Sequence, residues 1–136
     1  MRVDENQIEM SEDYLIYLFN GEPFTGVGYE LYPSGNLWTE QTYKDGILEG
    51  STREWFPSGQ LKSETHLENG GTHSVSRSWY VSGQLESEKY YEYGILIYSL
   101  EWNENGQVTK ETQLKEGDSL FSYLLKQRNK TQNTPI

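Results

Sequence analysis

The sequence predicts an all-β fold, a single-layer antiparallel β-meander built from tandem hairpin repeats. Three observations predict it. A glycine-containing turn motif recurs about every 24 residues, a second glycine series lies midway between its copies, and polarity alternates along the intervening segments. Tight turns join neighbouring strands, so we expect about nine or ten strands between Tyr14 and Lys126.

The first turn motif occurs in four copies, at residues 32–40, 56–64, 80–88 and 103–111. The glycines of the first three copies are 24 residues apart, and the glycine of the fourth follows after 23. Glycine adopts positive φ at little cost, and Pro33 and Pro57 fix φ at an early turn position. Each copy therefore predicts a reversal of the chain.

The second glycine series predicts the turns at the other ends of the strands. Its members lie at residues 43–46, 67–70, 91–94 and 114–117, and residues 19–21 resemble an earlier member. Strand periodicity between the turns places alternate residues on opposite faces of the sheet. We therefore expect Trp38 to share a face with Glu40, and Lys62 to share that face with Glu64.

The repeats define the domain organisation. Residues 1–13 form an N-terminal extension, residues 14–125 the repeat domain, and residues 126–136 a basic, polar C-terminal tail. Residues 119–125 fit either a last strand or a short helix capped by Asp118. From about Arg128 onward we expect disorder.

Composition limits the partners. The absence of cysteine excludes disulfides and thiolate sites, and the lack of a signal-like or membrane-length apolar stretch predicts a cytoplasmic protein. The net charge is −10, and all 21 acidic residues precede residue 122. Such a body should repel nucleic acid and anionic membranes and attract a basic protein surface. Alternatively, the acidity serves only solubility.

No catalytic constellation is present, so we expect neither enzymatic activity nor a cofactor. The sequence lacks HExxH, a phosphate-binding glycine loop and Gly-x-Ser-x-Gly. The only histidines, His66 and His73, could hold a metal together with Glu64 or Glu68. We favour the alternative that they are solvated hairpin residues, and we predict no metal site.

A repeated glutamate should form a column on one face of the sheet; its members are Glu40, Glu64, Glu88 and Glu111. Each unit contributes two strands, so successive members should lie about 10 Å apart, which is too far for a glycosidase carboxylate pair. The column could consist of cross-strand pairs with Arg53, Arg77 or Lys89, or it could be an acidic binding stripe.

Aromatic residues recur with the unit, either as a packing ladder between hairpins or as a binding stripe. Trp38 differs from the others because the equivalent positions hold Lys62, Glu86 and Thr109. Packing does not require a tryptophan there, which makes Trp38 a candidate interaction hot spot. The predicted partner-binding residues are Trp38, Glu40, Trp55, Glu64, Trp79 and Glu88.

The unit aromatic-Pro-Ser-Gly-Gln-Leu-x-x-Glu, followed by Tyr-Lys-Asp-Gly-x-x-x-Gly, closely resembles the bacterial variant of the MORN repeat. The resemblance covers roughly residues 14–125 and implies a β-hairpin repeat fold. Bacterial proteins of this kind are regarded as antitoxins or immunity proteins. For this chain the resemblance implies a module that binds and neutralises a cognate toxin. Because the chain is acidic, we expect that toxin to be basic.

Two other functions and one mode of assembly stay open. MORN repeats elsewhere act as scaffolds for protein assembly or membrane association, but lipid binding should require a basic face and only the tail is basic. A carbohydrate-binding module would use the tryptophans, although no export signal is present. Unpaired sheet edges would also permit self-association.

Overall fold

The computed structural model describes residues 1–68 and 72–132, with side chains through residue 130. Its main sheet has nine strands in the order β1-β5-β6-β7-β8-β9-β10-β11-β12. These strands are β1 (Arg2–Asp4), β5 (Gly26–Leu31), β6 (Leu37–Lys44), β7 (Ile47–Trp55), β8 (Leu61–Glu68), β9 (His73–Trp79), β10 (Leu85–Glu92), β11 (Ile95–Trp102) and β12 (Val108–Gln113).

The predicted meander is confirmed, because β5 to β12 follow one another in chain order and pair antiparallel. The N-terminal end adds two features that the repeats did not predict. Strand β1 pairs with β5 in parallel, with Val3 opposite Gly28. The chain between them forms a second sheet of β2 (Ile8–Met10), β3 (Tyr17–Phe19) and β4 (Glu22–Pro23), so this end has two layers.

Within the described residues both turn series form as the sequence predicts, except that the turn at residues 114–117 is followed by a helix and not by another strand. In the first series, the Tyr32 N–H donates to the Asn36 carbonyl at 2.8 Å, and the Gly35 N–H donates to the Tyr32 carbonyl at 2.8 Å. The same two hydrogen bonds recur in the other three copies. In the second series, Asp45 and Gly46 have φ of 50° and 83°, as a two-residue type I′ hairpin requires. The turn residues 69–71 lie outside the described residues.

A β-bulge follows each turn of the first series and breaks the predicted alternation. In β8, Ser63 lies opposite Glu54 and Leu61 opposite Trp55, which leaves Lys62 as an extra residue. Register shifts at the same place make Trp38, Glu86 and Thr109 the extra residues of β6, β10 and β12. The expectation that Trp38 and Lys62 follow the faces of Glu40 and Glu64 was therefore wrong.

Register defines the two faces of the main sheet. We call one the ladder face, after its row of directly opposed residues, Glu40, Arg53, Glu64, Arg77, Glu88, Leu100 and Glu111. We call the other the hydroxyl face. Its two central rows are Gln41, Thr52, Thr65, Ser76, Lys89, Ser99 and Thr112, and Thr39, Glu54, Ser63, Ser78, Ser87, Glu101 and Lys110.

The second sheet packs on the hydroxyl face at the β5–β6 end and encloses an aromatic core. Tyr43 is 2% exposed, and its ring lies 5.1 Å from that of Tyr17 and 5.4 Å from that of Phe24. The close approach of the N-terminal segment to β5 depends on Gly28, because a Cβ there would lie 2.4 Å from the Glu5 carboxylate. Residues 1–13 thus contribute two strands, β1 and β2, and a 3₁₀ turn (Glu5–Gln7) to the fold.

The C-terminal segment forms helix α1 (Ser119–Gln132), which decides between the strand and helix alternatives. Leu124 is only 1% exposed, and Arg128 donates two hydrogen bonds of 2.7 Å to Glu92. The expected disorder was therefore wrong for residues 128–132, because this contact docks the helix; residues 133–136 lie outside the described part. No helix among the described residues is long and apolar enough to cross a membrane.

Candidate functional site

The ladder face carries the predicted glutamate column, and three of its four glutamates, Glu40, Glu64 and Glu88, are bound to arginines. Arg53 Nε lies 2.6 Å from Glu64 Oε2, and Arg77 Nε lies 2.8 Å from Glu88 Oε2. Each arginine precedes its glutamate by 11 residues on the neighbouring strand. Of the two interpretations, cross-strand pairing is the one these contacts support. Lys89 lies on the hydroxyl face, opposite Ser76.

The first member of the column obtains its arginine from the N-terminal segment. Tyr29 occupies the position opposite Glu40 on the preceding strand, where the next two units have arginine. Arg2 lies over the Tyr29 ring, 4.9 Å from its centroid, and pairs with Glu40. An added strand therefore supplies the missing cation at this end of the ladder.

Glu88 has a second donor in addition to Arg77. The Tyr98 hydroxyl donates to Glu88 Oε1 at 2.5 Å. This hydrogen bond and those from Arg77 lower the pKa of the Glu88 carboxyl below its usual value. The carboxylates of Glu40, Glu64 and Glu88 are thus partly neutralised and held in place, which weakens the case for a free acidic stripe at these positions.

The structure does not place all six predicted binding residues on one surface. Trp38 lies at a bulge and stacks on Tyr32 with ring centroids 5.4 Å apart. At the equivalent bulge, the Lys62 amine lies 3.0 Å from Glu54, a residue of the hydroxyl face. The bulge therefore turns Trp38 away from Glu40 and towards the hydroxyl face.

An aromatic margin follows the first-series turns along the border of the hydroxyl face; we define it as Tyr32, Trp38, Phe56, Tyr80 and Val81. Trp38 and Val81 are 39% and 64% exposed. Phe56, Trp79, Tyr80 and Val81 line an open groove of about 390 Å³, together with Lys62, Ser63, Ser78, Glu86 and Glu104. The sequence pointed to Trp38 and Trp79 but not to this groove, because the bulges that build it interrupt the period of two.

Short side chains border the margin on the hydroxyl face. Thr65 Oγ1 and Ser76 Oγ lie 3.0 Å apart, and Ser78 Oγ and Ser87 Oγ lie 2.6 Å apart. These hydroxyls satisfy one another in pairs. The side chains at these four positions therefore project little from the sheet.

The two histidines lie beside the helix contact on the ladder face. His66 Nε2 is 3.4 Å from Glu68 Oε1, and His73 Nε2 is 3.7 Å from Glu92 Oε1. Both line a small cavity with Tyr90. Within residues 1–68 and 72–130, no group of three or more histidine, aspartate or glutamate side chains is placed to hold a metal ion.

Comparison with known proteins agrees with the repeat architecture. The model of the MORN repeat variant matches residues 24–45 and 48–69. A curated relative, "Immunity protein YwqK" of Bacillus subtilis (strain 168), is 56% identical over 112 residues, which are 82% of this chain and 72% of the relative. The chain belongs to the MORN repeat variant family. No solved structure matches it.

Each matched MORN repeat corresponds to one hairpin around a first-series turn. The match at residues 24–45 contains β5 and β6, and the match at residues 48–69 contains β8 and all of β7 except Ile47. Adjacent MORN hairpins are joined by a side-chain hydrogen bond, because the Tyr32 hydroxyl donates to the Trp55 carbonyl at 2.5 Å. Tyr80 makes the same bond to the Trp102 carbonyl at 2.7 Å. Trp55 and Trp102 therefore serve hairpin stacking through their backbone.

Proposed function

We propose that this MORN-repeat protein is an immunity protein that binds a toxin protein and neutralises it. The observation that carries the proposal is the 56% identity, over 82% of the chain, to a protein named an immunity protein. Repeat proteins of this kind act by contact, which supports a binding role without enzymatic activity. The site of action that we propose is the cytoplasm.

The aromatic margin is the surface that we assign to toxin binding. Trp38 is the most exposed of the four tryptophans, and the repeat does not require it for packing. Tryptophan anchors commonly dominate protein interfaces when a partner buries them fully. Trp79 lines the adjoining groove, which offers an apolar slot for a partner side chain.

The charge of the chain supports a basic partner. Residues 1–30 contain seven acidic residues and one basic residue, whereas Glu40, Glu64 and Glu88 are already paired with arginines. The uncompensated negative charge is therefore concentrated beside the first repeats, close in sequence to Trp38. Such a field accelerates association with a basic protein and loses this effect as salt rises.

Affinity capture followed by a growth assay tests the proposal. The tagged chain is used to capture proteins from a lysate of the source organism at low and high salt. We expect one stoichiometric, basic protein that is lost at high salt. Expression of that protein alone in a bacterial host should arrest growth, and co-expression of this chain should restore it.

Two results would contradict the immunity role. One is a captured protein whose expression leaves growth unaffected; the other is growth arrest that the chain does not relieve. Recovery of many partners, or sedimentation with anionic vesicles, would instead favour a MORN scaffold. A Trp38→Lys variant in the same growth assay separates the aromatic margin from the rest of the surface, and we expect it to lose protection.

A further inference from the structure

The two edges of the main sheet differ in how they are protected. Strand β1 has three residues, Val3 at its centre is buried, and the 3₁₀ turn Glu5–Gln7 follows at once. Strand β12, at the opposite edge, has six residues and all of them are exposed. A long exposed edge strand presents backbone N–H and C=O groups with which another strand can pair.

The ladder of ion pairs is unfinished at this exposed edge. Glu40, Glu64 and Glu88 each pair with an arginine. Glu111 continues the same row, but its neighbour on β11 is the uncharged Leu100. Among the described residues, no ion pair forms at Glu111.

Lys110, the adjacent residue of β12, does have an oppositely charged residue across from it on the neighbouring strand. It lies on the hydroxyl face, directly opposite Glu101 of β11. Cross-strand neighbours of opposite charge stabilise a sheet, so Lys110 already has a suitable neighbour within the chain. The unmatched charge of the edge is therefore confined to the ladder face, at Glu111.

We propose that β12 binds an extended segment of another protein that places an arginine or lysine opposite Glu111. The bound segment adds a tenth strand to the sheet, and its basic side chain continues the alternation of glutamate and arginine along the ladder face. Arg2 completes the ladder in the same way at the other end, where it reaches Glu40 from an added strand. The proposal goes beyond the immunity role and does not depend on it.

Symmetry argues against a second copy of β12 as the occupant. Residues opposed in an antiparallel pair point to the same face of the sheet, whereas Lys110 and Glu111 point to opposite faces. A two-fold axis therefore cannot oppose Lys110 to Glu111. An axis at Glu111 would oppose two glutamates, and an axis at Lys110 would oppose two lysines. No two-fold axis within β12 therefore brings a basic residue of that strand opposite Glu111, so the charge pattern favours a different chain as the occupant.

Peptide titration of the full chain tests edge pairing directly. The probes are synthetic nine-residue peptides of alternating threonine and valine with either a central arginine or a central glutamate. Titration into the isotope-labelled protein should shift the amide NMR signals of β12 and slow their hydrogen exchange. We expect the arginine peptide to bind about two- to fivefold more tightly than the glutamate peptide.

Charge reversal at the edge provides the matched control. Glu111→Lys should reverse the preference between the two peptides. Glu116→Lys changes the net charge equally but lies beyond β12, so it should keep the preference for arginine. Thermal unfolding of both variants verifies that the fold is retained.

Four results would overturn the proposal: equal binding of both peptides, signal changes centred on another strand, no binding at millimolar peptide, or dimerisation of the free chain through β12. The peptide assay and the growth assay fail independently. Loss of growth protection with normal peptide binding would refute the immunity role alone, and the reverse result would refute edge pairing alone.

Discussion

At the β5–β6 end, the small sheet packs aromatic rings on the hydroxyl face, whereas at the β10–β11 end a helix docks on the ladder face through a carboxylate. The first end buries Val3, Phe24 and Tyr43. The second buries Glu92, bound by Arg128, beside Ile95 and Leu124. No described residue from 47 to 91 is buried.

This difference shows that the stability of the repeat array comes largely from its two ends. Each central hairpin contacts only its neighbours and keeps both faces accessible, as in other repeat proteins whose terminal units act as caps. The ends supply the buried side chains, and they do so with different chemistry. The central repeats are therefore free to present binding surfaces, and the two caps should respond differently to mutation and to pH.

Mutation of the aromatic cap, the core of Val3, Phe24 and Tyr43 at the β5–β6 end, should give the largest loss of stability. Phe24→Ala removes a side chain that is 2% exposed and leaves a cavity, so we expect a loss of about 3–5 kcal/mol in the free energy of unfolding. Urea denaturation measures it. Leu15→Ala is the control, because Leu15 is 75% exposed and its truncation should change stability by less than about 0.5 kcal/mol. Equal losses would contradict the assignment of the core.

Mutation of the C-terminal cap, in which helix α1 docks on Glu92 through Arg128, should give a smaller loss of stability. Arg128→Met leaves the Glu92 carboxylate buried without its bidentate donor, which should cost about 1–3 kcal/mol. Hydrogen exchange should become faster in β10 and β11 before the rest of the sheet. Lys126→Met makes the same charge change at an exposed position of α1 and should leave exchange unchanged.

The two caps should respond to acid in opposite directions. Hydrogen bonds from Arg128 lower the pKa of Glu92, so its contribution to stability is present above about pH 4.5 and is lost as pH falls through its depressed value. Burial raises the pKa of Glu5, so its ionisation destabilises the fold as pH rises from 4.5 through the raised value.

Urea denaturation between pH 3 and pH 7 checks these directions. Glu5→Gln should remove the loss of stability that accompanies rising pH. Arg128→Met should weaken the loss that accompanies falling pH. Identical pH profiles for the wild type and both variants would show that neither carboxyl is linked to folding.

The central repeats should show the smallest effects. Tyr80→Phe removes the hydrogen bond to the Trp102 carbonyl and should cost about 0.5–1.5 kcal/mol. Phe56 occupies the equivalent position and lacks the hydroxyl, so Phe56→Tyr should gain a similar amount by reaching the Trp79 carbonyl. Thermal unfolding of the two variants should therefore shift in opposite directions; shifts of the same sign would contradict hairpin stacking through these hydroxyls.

The repeat made the meander predictable from sequence, whereas the caps were not predictable. Turns such as Asp45-Gly46 form locally, and their period sets the strands between them. The N-terminal cap has no repeat, and its contact between Arg2 and Glu40 spans 38 residues. Residues 119–125 had no periodicity that separates strand from helix, and docking of Arg128 on Glu92 favours the helix.

The candidate site was predictable in part for the same reason. Register on the ladder face follows the repeat, so the pairing of Glu64 with Arg53 could be anticipated from position alone. The aromatic margin depends on bulges, which add one residue and redirect Trp38 without a distinct sequence signal. The sequence signal that did point to Trp38 was the variability of its position, which holds a tryptophan, a lysine, a glutamate and a threonine in the four copies of the repeat.

The most direct test of the account is the dissociation constant of Trp38→Lys for the partner protein captured from the lysate. Lysine reproduces the arrangement at the next repeat, where Lys62 lies 5.7 Å from the Phe56 ring centroid, so the fold and its melting temperature should be retained. We expect affinity to fall about 30-fold, as for an interface hot spot. An unchanged dissociation constant in a folded variant would contradict the central claim that the aromatic margin binds the toxin.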